Sequence, residues 1–157
     1  MKSILCAILT LALAANLKAD ETHRLDETIA AGVVFKISYV MGSQGSWADL
    51  RGGKPADFEV AMRSIARDLE NLSDSRRGNE LRDAGEELIS LLIRAVVSTA
   101  DAENEDGPLV MKELGLVPGK SGPEDLARAM FRKLGVYGAM AGVPAWVSAP
   151  RAGEMRR

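Results

Sequence analysis

Residues 79–102 read NELRDAGEELISLLIRAVVSTADA, the longest apolar-periodic run beyond the first twenty residues. Leu81, Ala84, Leu88, Leu91, Ala95, Ser98 and Ala102 recur at alternating intervals of three and four, which places them on one side of an α-helix. Ile89, Leu92, Ile93, Val96 and Val97 widen that stripe until the second half is apolar on most of its circumference. A helix of this kind belongs in the middle of a bundle. Asp83, Glu87, Ser90, Arg94, Ser98 and Asp101 leave one narrow polar seam along it. Arg94 is the only charge from Leu88 to Val97. Either it emerges on that seam with its stem over apolar neighbours, or a carboxylate of the first helix, Asp26 or Glu27, meets it.

Upstream, Pro55 suits a first helical turn, and Phe58, Met62, Ile65, Leu69 and Leu72 repeat at four, three, four and three, a seam for antiparallel packing. The polar run SDSRRGN, 73–79, is short enough to make these two helices a hairpin. Further upstream, Leu25, Ile29, Val33, Ile37 and Val40 share a helical face over 22–42, although Phe35, Ile37 and Tyr39 alternate with Lys36 and Ser38 as a strand would.

Downstream, a short helical turn is expected near 108–114. A helix follows over 122–134, started by a capping box of Ser121 and Glu124 and ended by Gly135. Its inner face is Leu126, Met130 and Leu134. Residues 136–157 read as an apolar, then basic tail; their Gly138-xxx-Gly142 spacing is interrupted too soon by Pro144 to belong to a membrane span. The fold class predicted is all-α, a single-domain up-and-down bundle of about four main helices over 20–135.

The first residues, MKSILCAILTLALAANLKAD, have the form of a signal peptide: Lys2 is the charged start, Ile4–Ala15 the apolar stretch, and small residues follow. A span needs about 20 apolar residues, so this stretch falls short of an anchor. Cleavage after Ala19 or after Ala15 fits, and residues 1–19 are taken as the signal peptide. An exported protein, periplasmic or secreted and without a transmembrane span once processed, is the expectation. The one cysteine, Cys6, lies in this segment, so the processed chain has no disulfide, no thiol chemistry and no cysteine-held metal or haem. Removing residues 1–19 takes away Lys2 and Lys18 and no carboxylate, moving the net charge from −2 to −4. The signs are interspersed, which gives no nucleic-acid-binding surface.

Catalytic motifs are missing from the sequence. There is no Gly-x-Ser-x-Gly, no phosphate-binding glycine loop and no His-Glu-x-x-His, and His23, the only histidine, has no nucleophile at a recognisable spacing. An enzyme using paired carboxylates, such as Glu86 or Glu87 with Asp101, is a further reading, and such helical carboxylates are ordinarily a solvated face.

Two resemblances follow from particular residues. Residues 102–113 are similar to the calcium loop of the EF-hand family when Gly107 is set at its sixth position. Asn104, Asp106 and Glu113 then fall at ligand positions three, five and twelve, while Ala102 stands where the family has Asp and Pro108 follows the glycine. That resemblance implies a weak calcium site. Residues 35–74, with Gly52, Pro55 and Asp57 as Gly-x-x-Pro-x-Asp before the second helix, resemble the first half of the exported c-prime class of cytochromes, over 40 of 157 residues. The resemblance implies an exported four-helix bundle, and the missing Cys-x-x-Cys-His excludes covalent haem.

Three readings of function follow. The leading one is a non-catalytic binding or interaction protein, engaging another protein through Trp47, Tyr137 and Trp146. A second is a bundle holding haem or a similar cofactor non-covalently, with Met41, Met62 and Met130 as candidate contacts. The third is weak calcium binding through 102–113. No enzyme activity is expected.

Overall fold

The computed structural model describes the backbone of residues 2–43, 55–100 and 106–144, and within these the side chains of 18–41, 58–97, 106–122 and 124–144. They form five helices and, among the described residues, no strand: α1 Lys2–Ser43, α2 Pro55–Glu70, α3 Arg76–Ala100, α4 Asp106–Glu113 and α5 Pro123–Met140. The fold is an all-α bundle, as the sequence periodicity predicts.

Helices α1 and α3 run parallel and touch along the short diagonal, while α2 and α5 flank them, antiparallel to both, and α4 lies against α3. The direction of each pairing is fixed by side chains. Lys36 of α1 reaches Asp68 of α2 at 2.6 Å, and Asp26, ten residues earlier, reaches Ser73 just beyond α2. Arg82 of α3 reaches back to Leu69 O and Leu72 O, and Arg77 binds Met140 O at the end of α5.

The core is built from the seams expected in α2, α3 and α5. Met62, Ile65, Leu69 and Leu72 meet Leu81, Leu88, Leu91, Leu92 and Ala95 and are closed by Leu126, Met130 and Leu134. Gly85 leaves room for side chains of both neighbouring helices: a Cβ there would lie 2.6 Å from Leu69 Cδ2 and 3.1 Å from the Tyr137 hydroxyl, so a side chain would displace those two groups.

Three expectations need correction, while helix α1 is continuous through Val33–Val40 as expected over 22–42, so the strand alternation does not win. Side chains that pack on one neighbour on each side satisfy a helix as well as a strand, and α1 has α2, α3 and α5 around it. Its buried stripe keeps Val33, Ile37 and Val40 and moves by one residue only in the earlier turns, to Asp26 and Ala30, leaving Leu25 58 % exposed. On α3 the apolar circumference is not fully covered: Ile93 and Val97 face solvent. Helix α3 also starts three residues early, because Ser75 Oγ accepts the Gly78 N–H at 2.9 Å, an N-cap bond to the third helical residue.

The last helix departs furthest. Its cap is made one residue later than expected, Asp125 accepting the Gly122 N–H at 3.0 Å, while Ser121 Oγ accepts from Val117 N–H. It runs through Gly135 to Met140, so the bundle includes 136–144 rather than ending at 135. Tyr137 and Ala141 are core residues. Termination comes at Gly142, φ +70°, with Val143 N–H donating to Gly138 O at 2.8 Å and Gly142 N–H to Ala139 O at 3.2 Å. That is a Schellman end, in which glycine takes the left-handed position, and Pro144 follows shortly after it. The Gly138-xxx-Gly142 pair is thus a helix terminus; a Cβ at Gly138 would sit at an ordinary 3.7 Å from Val34.

Candidate functional site

Polar side chains converge at one end of the bundle, where α1 crosses the turn between α2 and α3. Asp26 has no exposed surface, and its carboxylate accepts from Ser73 N–H at 2.8 Å, Ser73 Oγ at 2.6 Å and Ser75 Oγ at 3.2 Å. Arg82 closes the other side. Its Nη2 donates to Leu72 O at 2.5 Å and its Nε to Leu69 O at 3.3 Å, a cation on the carbonyl end of α2 where the helix dipole is negative. A Cβ on Gly78 would stand 2.2 Å from Ser73 O, so only glycine admits the turn this closely. Sequence reasoning missed this cluster; the Ser73-x-Ser75 pair before Gly78 is the signal that could have located the cap.

The cluster holds α1 to the hairpin and has no open position. Every Asp26 hydrogen bond goes to the protein, and no group of three or more His, Cys, Asp or Glu close enough for a metal ion occurs among the described residues. His23 lies three residues before Asp26, less than one turn of α1 away, half-exposed and 3.7 Å from Glu27.

Two surface grooves border the bundle. One, of ≈ 550 Å³, is lined by Lys18, Thr22, His23, Ser75, Arg76 and Arg77 between α1 and the start of α3. Its arginines are already engaged: both reach Glu80, and Arg77 also binds Met140 O. The other, of ≈ 180 Å³, lies between α3 and α5, with Leu88, Leu91, Val136, Met140 and the Tyr137 ring as walls and Glu87 and Lys133 among its lining. The Tyr137 hydroxyl is buried without a protein partner, and burial pushes its pKa from 10.0 up to about 12. Because that oxygen has no accessible surface, nothing seated in the groove reaches it.

The sequence-nominated residues scatter. Tyr137 is 2 % exposed and belongs to the core, so it offers no face to a partner; an aromatic in an uncharged stretch reads as surface only if the helix is ended too early. Trp47, Trp146, Asn104 and Asp101 lie outside the described residues. Asp106 and Glu113 fall at the two ends of α4. Seven residues of helix separate them by about 10 Å along the axis, whereas two oxygens on one calcium ion lie within about 5 Å of each other. Positions five to twelve of the proposed loop are therefore helix, and Glu113 pairs instead with Arg94 at 2.9 Å. Arg94 thus stays partly exposed, as the seam reading has it, and the carboxylate it meets belongs to α4 in place of the candidates Asp26 and Glu27. Met62 and Met130 are buried among the core side chains, and Met41 packs partly against them. Glu86 and Glu87 are exposed on α3.

One feature of the surface does stand out. Leu25, Phe35 and Tyr39 are 58 %, 56 % and 75 % exposed, and with Thr28 and Gly32 they follow each other at three, four, three and four along the outer side of α1. A Cβ at Gly32 would meet nothing within 4 Å, so the middle of this stripe is open.

No protein-family model, curated protein or solved structure matches the chain.

Proposed function

We propose that this is an exported, non-catalytic interaction protein whose recognition face is the outer side of α1, centred on Leu25, Phe35 and Tyr39. The observation that carries the reading is the exposure of three large apolar side chains, two of them aromatic, on one helical stripe. Isolated exposed apolar residues are ordinary, but a stripe at helical spacing is the form in which a helix offers itself to a groove or a second helix. The polar clusters are committed to holding the bundle together, and this face carries the exposed aromatic side chains of the described surface, Phe35 and Tyr39. The partner that fits is another protein with a complementary apolar surface.

The test is capture from an envelope fraction by the processed protein, compared with Phe35→Gln/Tyr39→Gln. Loss of a specific captured protein in the double variant, with unchanged helical circular dichroism, is the expected result. Equal capture by both proteins would sink the reading.

A further inference from the structure

Gly32 stands in the middle of α1, and nothing in this chain requires a glycine there. Glycine inside a helix is less favourable than alanine, because its backbone has more freedom to lose. Gly85 and Gly138 have side chains of neighbouring helices against them, whereas a Cβ at Gly32 would meet nothing within 4 Å. The position lies between Thr28 and Phe35 on the exposed stripe, so it forms a hollow that faces outward. A hollow of this kind is what lets a second helix approach closely.

We propose that the hollow is filled by a second copy of this chain, the outer sides of two α1 helices packing antiparallel about a two-fold axis at Gly32. The inference rests on the reading of that side as the recognition face, and it makes the complementary surface the protein's own. Leu25 and Tyr39 lie seven residues before and seven after Gly32, about 10 Å along the axis in each direction. A two-fold there brings Leu25 of one copy level with Tyr39 of the other. Phe35, three residues after Gly32, then falls opposite Thr28, four residues before it. Each exposed ring thus meets small residues, Thr28 and Gly32, and knob and hollow are carried by the same stripe. A parallel pairing would instead set Phe35 on Phe35 and leave hollow facing hollow.

The polar groups beside the stripe do not oppose the contact. Thr28 Oγ1 donates to Arg24 O at 2.8 Å, and Arg24 pairs with Asp20 at 3.2 Å. Lys36 is held by Asp68 at 2.6 Å and Ser64 at 2.9 Å, and the two-fold sets it level with Thr28 of the other copy, so no like charges meet. An aromatic side chain buries about 150–250 Å², so Phe35 and Tyr39, 56 % and 75 % exposed, offer roughly 200–330 Å² per copy. Leu25 adds to this, as does Val60, exposed one turn before Ser64 on α2. They form the apolar centre of an interface at the lower end of the stable class, about 600 Å² per copy, and an association in the micromolar range is expected.

The full chain, Met1–Arg157, is expressed in a bacterium with an intact secretory pathway, and the product is purified and sedimented at about 1–100 μM, the range over which a modest interface dissociates. A monomer–dimer equilibrium that stops at two copies is expected. Phe35→Gln/Tyr39→Gln should weaken it by about 30-fold or more. Gly32→Leu adds apolar surface and a better helix former, so it should leave the circular dichroism unchanged and the unfolding midpoint in dilute solution equal or higher, yet weaken the dimer as much by filling the hollow. A dimer that persists in either variant lies elsewhere on the surface and overturns the proposal. A wild-type monomer that captures a different protein, with capture lost in Phe35→Gln/Tyr39→Gln, overturns the second copy and leaves the recognition face standing. A monomer whose capture is the same in both proteins overturns both.

Discussion

Leu25 and Asp26 are neighbours on α1, and the structure treats them opposite to their polarity: the leucine is 58 % exposed and the aspartate has no exposed surface. The difference lies in what each side of the helix meets. Asp26 faces the turn after α2, where a backbone N–H and two serine hydroxyls need an acceptor. An aspartate with three such bonds is accommodated in a core, because its desolvation is offset by donors that are themselves satisfied. Leu25 faces outward, continuing the line of Phe35 and Tyr39. One side of α1 is thus specified by polar bonds made inside, and the other by apolar groups left outside. A buried polar residue and an exposed apolar stripe are the two observations that say most about a surface helix.

The largest effect should come from Asp26→Ala. Truncation leaves the Ser73 N–H and the Ser73 and Ser75 hydroxyls facing a void, and each buried polar group left unpaired costs about 1–3 kcal/mol. A loss of roughly 3–5 kcal/mol in urea unfolding is expected, enough to threaten a fold whose whole stability is about 5–15 kcal/mol. Asp26→Asn keeps one acceptor oxygen and should lose less. If Asp26→Ala were neutral, the contrast between the two sides of α1 would collapse.

Tyr137 is the opposite case to Asp26: a buried polar group with no partner. Its pKa rises from 10.0 to about 12, so the folded state holds its proton more tightly than the unfolded chain does. The contribution is therefore fully present below pH 10 and is lost as pH rises through 12, by roughly 2–3 kcal/mol. Tyr137→Phe should remove that alkaline loss and leave stability at pH 7 unchanged or raised by up to about 1 kcal/mol. Unfolding curves at pH 7, 10 and 11.5 for both proteins would show it. A large loss at pH 7 in Tyr137→Phe would mean that the hydroxyl has a bonded role, and that unmade bonds are not the distinction from Asp26.

The fold was legible where apolar periodicity acts alone. The Met62–Leu72 seam, the Leu81–Ala95 seam and the Leu126–Leu134 face are all buried as their spacing implies. It was not legible where tertiary bonds override polarity. Nothing local distinguishes Asp26 from its acidic neighbours, because its donors are 47 and 49 residues away. Tyr137 was misplaced for a different reason. Gly135 reads as a stop, but the helix runs through it, and the later Gly142 with Pro144 was the better signal. The candidate site was the least legible part, since Leu25 is recognised as exposed only once the buried stripe is seen to run through Asp26 and Ala30 in the turns before Val33.

Arg94 offers a smaller effect, between these extremes. It pairs with Glu113 at 2.9 Å, yet the two side chains remain 36 % and 37 % exposed, so solvent screens the pair. Such pairs contribute about 0–1 kcal/mol. Arg94→Met should change stability by no more than about 0.5 kcal/mol and weaken the hold of α4 on α3, readable as faster amide exchange in 106–113. A loss near that of Asp26→Ala would place Arg94 with the buried polar groups and not with the surface.

The smallest effect on stability is expected from Phe35→Gln/Tyr39→Gln, although it removes two of the three largest apolar groups on α1's outer side. Both side chains are more than half exposed, so most of their surface stays in water in the folded state. What packing they lose against their own helix is countered by glutamine's better helix propensity, a few tenths of a kcal/mol at each position. The net change should lie within about 0.5 kcal/mol, as for surface positions generally, while capture of a partner by this face is abolished. The same pair of measurements on Leu25→Gln and Asp26→Ala then divides α1 cleanly: substitution of the leucine should leave the unfolding midpoint in place and reduce capture, and substitution of its neighbour should move the midpoint. A double glutamine variant that unfolded far more easily would show that Phe35 and Tyr39 support the bundle, and the outer side of α1 would then have no binding task to explain its composition.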